Sequence, residues 1–195
     1  MDPLVYKARI FAMAAHAAVG QVRNYTGLPY IVHPIEVADI LAKAGYGAQV
    51  QAAGLLHDVL EDTAVTYELI EEEFGLYVAE LVRSVTNVAK KEDGIRKVRS
   101  LINLNHKAKA DPDGQSIVYA DIMSNMPSLP ELKPDFAKVY VREKYAVLIA
   151  LDKGDEDLRH MAMEVVEAAA ASLGIDLREE SAGVVNNGRQ SQPGL

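Results

Sequence analysis

The sequence predicts an all-α protein, and three observations predict it. Apolar residues recur at the three-and-four spacing of one helix face, as at Val37, Ile40 and Leu41. The alternation of apolar and polar residues that is typical of strands is scarce. Helix-starting and helix-ending residues stand where periodic runs begin and end, such as Pro112 and Gly75. The expected architecture is therefore a multi-helix bundle.

Each predicted helix combines a periodic apolar run with signals at its ends. The first run ends before Gly20, the second begins around Pro34 and ends at Gly45, and Thr66 precedes an acidic first turn. The last run ends at Gly174. The helices are expected over 3–19, 34–44, 47–61, 66–74, 76–89, 94–110, 113–125, 134–152 and 155–173.

The length predicts one domain. The chain has 195 residues, and a domain usually has roughly 100 to 200. We expect a single domain over 1–177. Residues 178–195 are rich in Asn, Gly, Ser and Gln, and we expect a flexible tail there.

The composition excludes several classes of protein. There are no cysteines, which excludes a disulfide scaffold, a zinc finger, an iron–sulfur protein and a cysteine nucleophile. A net charge of -8 argues against nucleic-acid binding. The first 20 residues lack the layout of a secretory signal, and no uncharged run reaches the roughly 18 residues that span a bilayer. We expect a cytoplasmic location and no membrane contact, whereas the oligomeric state does not follow from the sequence.

The charge is nevertheless uneven along the chain. Residues 61–82 hold seven carboxylates and no Lys or Arg, and residues 83–109 hold eight Lys or Arg against two carboxylates. Such local positive charge is compatible with a small phosphorylated ligand.

Four ionisable residues follow the apolar run that ends at Leu56, namely His57, Asp58, Glu61 and Asp62. On a continuous helix at roughly 100° per residue they fall within about 140° of one another and share one face. The apolar run before them predicts a buried helix whose polar end opens into a cleft. Because buried carboxylates without partners are costly, we expect a cation there.

A metal centre is predicted from two imidazoles and two carboxylates, His33, His57, Asp58 and Asp121. This set of two nitrogen and two oxygen ligands suits Mn, Fe or Zn better than Ca or Mg. A cation held there would lower the pKa of bound water and polarise a phosphoryl oxygen. The alternative is a structural hydrogen-bond cluster without metal, followed by a plain acidic helix end.

These residues resemble the H…HD…D signature of the HD superfamily of metal-dependent phosphohydrolases. The closer resemblance is to the hydrolase domain of the RelA/SpoT family and its free-standing form, the small alarmone hydrolases similar to the metazoan SpoT homologue. The motifs are GQVRNYTGLPYIVHP over 20–34, LHDVLEDT over 56–63 and YADIMSN over 119–125. The resemblance runs in order over about residues 5–170 and implies an all-helical HD-domain bundle with a metal site in a central cleft.

The resemblance also implies the reaction, the cofactor and the substrate. It implies one divalent metal, Mn²⁺, on the four residues named above, with Glu61 and Asp62 orienting or deprotonating the attacking water. Arg23 matches a residue that packs on the purine, Asn125 one near the sugar, and Tyr140 a tyrosine that lines the pocket. The implied partner is a purine nucleotide of the (p)ppGpp or (p)ppApp type, from which diphosphate is removed at the 3′ position. No synthetase segment is recognisable, which predicts hydrolysis only.

The sequence departs from this family at several positions. Val118 stands where the family usually carries Lys, and Pro127 where it often carries Arg. Asn24 replaces a second basic residue beside the purine, and Tyr25 adds an aromatic surface. Compensating phosphate contacts are expected from Arg96, Lys97 and Arg99, unless these three form a solvated helix face.

Two further functions stay open at this point. One is a nucleotidase or phosphatase acting on another nucleotide such as NADPH, and the other is a nucleotide-sensing module without turnover. The acidic pair of the HDxxED motif disfavours the sensor, which has no need to align water. The remaining histidines, His16, His106 and His160, are expected to be surface or capping residues.

Overall fold

The computed structural model describes residues 2–24 and 26–177, and its architecture confirms the all-α prediction. Within these ranges the only β-type pairing is an isolated antiparallel bridge between Val22 and Pro29. Tyr25 and the expected tail over 178–195 lie outside the described residues. The helices are α1 Pro3–Ala18, α2 Val32–Lys43, α3 Ala48–Leu56, α4 Val59–Asp62, α5 Tyr67–Phe74, α6 Leu76–Val85, α7 Arg96–Lys107, α8 Pro112–Asn125, α9 Leu129–Leu132, α10 Pro134–Ala150 and α11 Glu156–Ser172, with a 3-10 turn at Lys91–Asp93.

Two helices, α3 and α8, form the centre of the bundle. Six of the nine residues of α3 are buried, including all of those from Ala52 to Leu56, and α8 is buried from Gly114 to Ala120. Helix α3 packs against α1, α2 and α6, while α8 packs against α2, α6 and α11. The hydrophobic core around these two helices contains residues from most of the described chain, the first being Val5 and the last Leu177. The predicted ligands His57, Asp58 and Asp121 lie near the C-terminal ends of these two helices.

Helices α2 and α3 approach each other closely at Gly54. A Cβ atom added to this glycine would lie 2.6 Å from Leu41 Cδ1 and 3.4 Å from Val37 Cγ1. Because only a residue without a side chain fits there, Gly54 sets the spacing of the two helices that carry the predicted histidine ligands.

Helix starts agree with the sequence signals, with the hydroxyl of Thr66 accepting the Leu69 amide and the carboxylate of Asp111 accepting the Gly114 amide. The prediction of one helix over 47–61 is wrong, because the chain breaks between α3 and α4 at His57 and Asp58. At the break the His57 ring Nδ1 donates to the Gly54 carbonyl at 2.8 Å, the oxygen that the Asp58 amide would reach in an uninterrupted helix.

The helix predicted over 76–89 also ends early, at Val85. The Thr86 hydroxyl donates to the Val82 carbonyl at 2.8 Å, and the Asn103 side-chain oxygen accepts the amides of Val88 and Ala89 at 2.9 Å each. These side chains replace the hydrogen bonds of further helical turns. Likewise the helix predicted over 94–110 is restricted to α7, and the short α9 was not predicted. None of the described helices is long and apolar enough to cross a membrane.

Candidate active site

Four predicted metal ligands converge from three parts of the fold. His33 lies in the first turn of α2, His57 and Asp58 at the break between α3 and α4, and Asp121 in the last turn of α8. The two histidine Nε2 atoms are 3.2 Å apart. His57 Nε2 lies 3.0 Å from Asp58 Oδ2, and His33 Nε2 lies 3.2 Å from Asp121 Oδ1. Ligand atoms of His33, His57 and Asp58 all lie within 4.8 Å of one another.

The hydrogen bond at Nδ1 of each histidine ring determines whether its Nε2 atom carries a proton or a lone pair. His57 Nδ1 donates to the Gly54 carbonyl at 2.8 Å. His33 Nδ1 lies 2.9 Å from the Ser124 hydroxyl, which donates its own proton to Glu36 at 2.7 Å and so accepts from the ring. In the neutral rings both Nε2 atoms therefore present lone pairs towards each other and towards two carboxylates.

This donor set fits a divalent cation. Two imidazole lone pairs and two carboxylates face one another, so the cluster consists of acceptors that repel unless a positive charge lies among them. Burial alone would lower the pKa of His57, but the Asp58 and Asp121 carboxylates outweigh it and raise that pKa to about 9. Burial alone would raise the pKa of Asp58, but His57 overrides it and holds that pKa below its usual range. Both directions indicate a site that attracts positive charge.

The acidic pair that follows the break lies at the mouth of the cleft. Glu61 Oε1 accepts from the Asn87 side chain at 3.0 Å, and Oε2 accepts the Asn87 backbone amide at 3.2 Å. Asp62 Oδ2 accepts from Gln21 Nε2 at 2.8 Å. Partial burial raises the pKa of Glu61 and of Asp62, although their hydrogen bonds act in the opposite direction. Both carboxylates are thus oriented, and their pKa values are shifted towards the range of a general base at neutral pH.

The residues predicted to bind the nucleoside lie on one side of the metal centre. Arg23 Nη1 donates to Asn125 Oδ1 at 2.8 Å, and Asn125 Nδ2 donates to Asp121 Oδ1 at 2.6 Å. Arg23, Asn24, Asn125 and Tyr140 line a cavity of about 190 Å³. The Tyr140 ring stacks on Phe136, with ring centroids 5.6 Å apart. We call this space the aromatic cavity.

A larger space of about 390 Å³, which we call the outer cavity, shares the Tyr140 wall with the aromatic cavity. Arg96 and Arg99 line it, whereas the exposed Lys97 does not. Arg96 makes a two-pronged ion pair with Glu143, at 2.8 and 2.7 Å. The structure thus separates the three basic residues that the sequence grouped. Their roles in binding stay predictions.

Several residues at this site were missed by the sequence interpretation. The Tyr30 hydroxyl donates to Asp58, and the Asn87 and Gln21 side chains hold the acidic pair. Lys107 and Lys144 line the central cavity of about 230 Å³ that contains His57, Asp58 and Asp121. Tyr30 and Gln21 lie within the family motif over 20–34, so the motif could have indicated them. Lys107 and Lys144 lie outside the motifs, and no sequence pattern indicates them.

One histidine prediction is corrected by the structure. His16 is buried, being 1% exposed, and is not a surface or capping residue. Its Nδ1 lies 2.6 Å from Gln21 Oε1, and its ring packs on Tyr30 with centroids 4.6 Å apart. His16 thereby supports two residues that contact the acidic pair and the metal centre.

The fold and the site define a class of protein, an all-helical bundle with a histidine–aspartate centre for a divalent cation. The chain belongs to the HD domain family, whose model matches residues 8–115. Over 150 residues it is 36% identical to a guanosine-3′,5′-bis(diphosphate) 3′-pyrophosphohydrolase from Spiroplasma citri, which covers 75% of this chain and 20% of the relative. Over 145 residues it is 37% identical to the bifunctional (p)ppGpp synthase/hydrolase SpoT of Escherichia coli K12, with 73% and 20% covered. The chain thus spans about a fifth of the length of these relatives.

Solved structures agree with this assignment. A metazoan orthologue of SpoT that hydrolyses ppGpp matches with a TM-score of 0.76 and 25% identity, covering 86% of this chain and 96% of that one. The protein lmo0812 from Listeria monocytogenes matches with a TM-score of 0.58 and 27% identity, covering 74% and 99%. The resemblance to the RelA/SpoT hydrolase domain, predicted from the motifs, is confirmed.

Proposed function

We propose that the chain is a metal-dependent 3′-pyrophosphohydrolase of (p)ppGpp- or (p)ppApp-type nucleotides. The observation that carries the proposal is that an acidic pair and an aromatic cavity both adjoin one histidine–aspartate centre. Additional support comes from the relatives, which are named for this reaction. The cation is proposed to be Mn²⁺, on His33, His57, Asp58 and Asp121.

In this proposal the nucleoside occupies the aromatic cavity. Arg23 lies against the base, with Asn24 beside it, and Asn125 binds near the ribose. A contact of Tyr25, which lies outside the described residues, with the base stays a prediction. Tyr140 lines both the aromatic and the central cavity, so it separates the sugar from the reacting phosphorus. The 3′-diphosphate then extends into the central cavity.

The acidic pair supplies the proton chemistry. A water oxygen forms a bond to the phosphorus next to the ribose, and the bond from that phosphorus to O3′ breaks. A carboxylate oxygen of Glu61 or Asp62 takes the proton that the water loses, and the departing ribose O3′ takes a proton from the solvent. When bound, the cation supplies Lewis-acid activation of the water and of the phosphoryl oxygen. Asn87 and Gln21 keep the carboxylates in place for this transfer.

The direct test is an assay of the purified chain with MnCl₂ against ppGpp, ppApp and NADPH. We expect pyrophosphate from at least one of the first two nucleotides and no orthophosphate from any. Orthophosphate release from NADPH would support the phosphatase alternative instead. Tight nucleotide binding without product over hours would support the sensor. Repeating the assay with Zn²⁺ and Mg²⁺ tests the choice of metal, and cell fractionation tests the cytoplasmic location, which stays a prediction.

A further inference from the structure

Two lysines stand where the central cavity meets the outer cavity. Lys107 is the last residue of α7, and Lys144 lies in the middle of α10. Both line both cavities, as do Glu61, Val118 and Tyr140. The two ammonium groups therefore face the passage between the metal centre and the outer cavity.

Lys107 is a largely buried lysine whose ammonium has no direct partner among the described residues. The residue is 9% exposed, and within residues 2–24 and 26–177 its ammonium has no hydrogen bond or ion pair, but the nitrogen itself is not enclosed, since His16 Nε2 is the enclosed side-chain atom without a partner in these ranges. Burial and the charge of Lys144 lower the pKa of Lys107, while Asp121 and Glu61 act in the opposite direction. Because this nitrogen is open to the cavity and has no direct partner in the described chain, it is available to an anion that enters the cavity.

Lys144, on α10, is the second lysine of the pair. Its Nζ lies 3.6 Å from Asp121 Oδ2 and 5.0 Å from the centre of the Tyr140 ring. Its side chain is 16% exposed. Lys144 thus connects the metal centre to the same passage in which Lys107 lies. The neighbouring wall at Val118 is apolar and adds no charge.

We infer that Lys107 and Lys144 form a binding subsite for the outer phosphate of a diphosphate group, and that they select diphosphate esters over monophosphate esters. Two ammonium groups in one passage suit a diphosphate, because a diphosphate carries several anionic oxygens. The position is consistent with this choice. Both lysines line the central cavity, which also contains His57, Asp58 and Asp121, and both line the outer cavity, but neither lines the aromatic cavity, so a group that extends from the metal centre towards the outer cavity meets them.

This inference rests on the proposed function for its place in the reaction, but it is tested without turnover. Binding of inorganic pyrophosphate and of orthophosphate to the full chain is measured by calorimetry, first without added metal and then with Mn²⁺. Lys107→Met keeps the length of the side chain and removes the charge. Lys109→Ala, an exposed residue just after the same helix, is the matched control. We expect Lys107→Met to weaken pyrophosphate binding at least tenfold, orthophosphate binding much less, and Lys109→Ala to change neither.

A second measurement uses the unaltered chain, in case Lys107→Met does not fold. Acylation of each lysine by an amine-reactive reagent is followed by mass spectrometry. Pyrophosphate should protect Lys107, with Lys109 as the internal reference. Equal labelling of Lys107 with and without pyrophosphate would overturn the inference.

The activity assay separates this inference from the proposed function. If the chain hydrolyses an alarmone, Lys107→Met should raise KM more than it lowers kcat, and Lys107→Arg should restore most of the loss. Hydrolysis with unchanged KM and unchanged pyrophosphate binding in Lys107→Met would overturn the subsite and leave the function intact. Absence of hydrolysis together with lysine-dependent pyrophosphate binding would refute the function and support the subsite.

Discussion

Ser124 should control metal affinity without touching the metal. Its hydroxyl accepts from His33 Nδ1 at 2.9 Å and donates to Glu36 at 2.7 Å. His33 is 1% exposed, so in Ser124→Ala the ring N–H loses its partner in a place that water scarcely reaches. A buried donor without a partner costs about 1 to 3 kcal/mol. The cost is larger when a cation on Nε2 makes the ring N–H a stronger donor.

We therefore expect Ser124→Ala to weaken binding of Mn²⁺ by about 10- to 100-fold, the usual effect of losing a partner of a metal-binding histidine. This corresponds to about 1.4 to 2.7 kcal/mol. The assay is calorimetric titration of the metal-free chain, with circular dichroism to confirm the fold. Ser172→Ala is the control, because its hydroxyl donates to the Ala169 carbonyl near the end of α11. An affinity for Mn²⁺ within twofold of the unaltered chain would refute the assignment of the His33 ring orientation.

Three further predictions follow from the packing, the acidic pair and the metal centre. Gly54→Ala places a methyl group 2.6 Å from Leu41 Cδ1, so the free energy of unfolding, measured in urea, should fall by about 1 to 3 kcal/mol. The double variant with Leu41→Ala should lose less stability than the two single variants lose together. Asn87→Ala removes a hydrogen bond that lowers the pKa of Glu61, so the acid limb of the kcat/KM profile, where the base becomes protonated as the pH falls, should move to higher pH. Asp58→Ala should lose both metal and turnover, whereas Glu61→Gln should keep the metal and lose about 10²- to 10⁴-fold in kcat.

Each of these predictions has an outcome that would contradict it. If Gly54→Ala and Leu41→Ala had additive effects on the free energy of unfolding, the cost of Gly54→Ala would not come from contact with Leu41. An unchanged or downward shift of the acid limb in Asn87→Ala would exclude Glu61 as the titrating base. Added Mn²⁺ at 100 times its Kd should stabilise the unaltered chain by about 2.7 kcal/mol. The same stabilisation in Asp58→Ala would show that the cation binds elsewhere.

Local patterns predicted the secondary structure well where side chains act on their own neighbours. The N-terminal caps at Thr66 and Asp111 are short-range hydrogen bonds, so the sequence alone places them. The break at His57 was missed because it depends on the ring reaching the Gly54 carbonyl, a geometry that helical periodicity does not encode. The early end of α6 was missed for a similar reason, because Asn103 comes from a different helix.

The sequence by itself determined the fold class and which four residues form the candidate metal centre, because apolar periodicity and motif spacing are written along the chain. Only the tertiary structure decided how the two rings are oriented, through Ser124 and the Gly54 carbonyl. It also decided that Lys107 and Lys144 face one passage, although they come from helices whose sequences give no such signal. The physical reason is that burial and cavity walls arise from packing between distant segments, and no local pattern records which side chains those segments bring together.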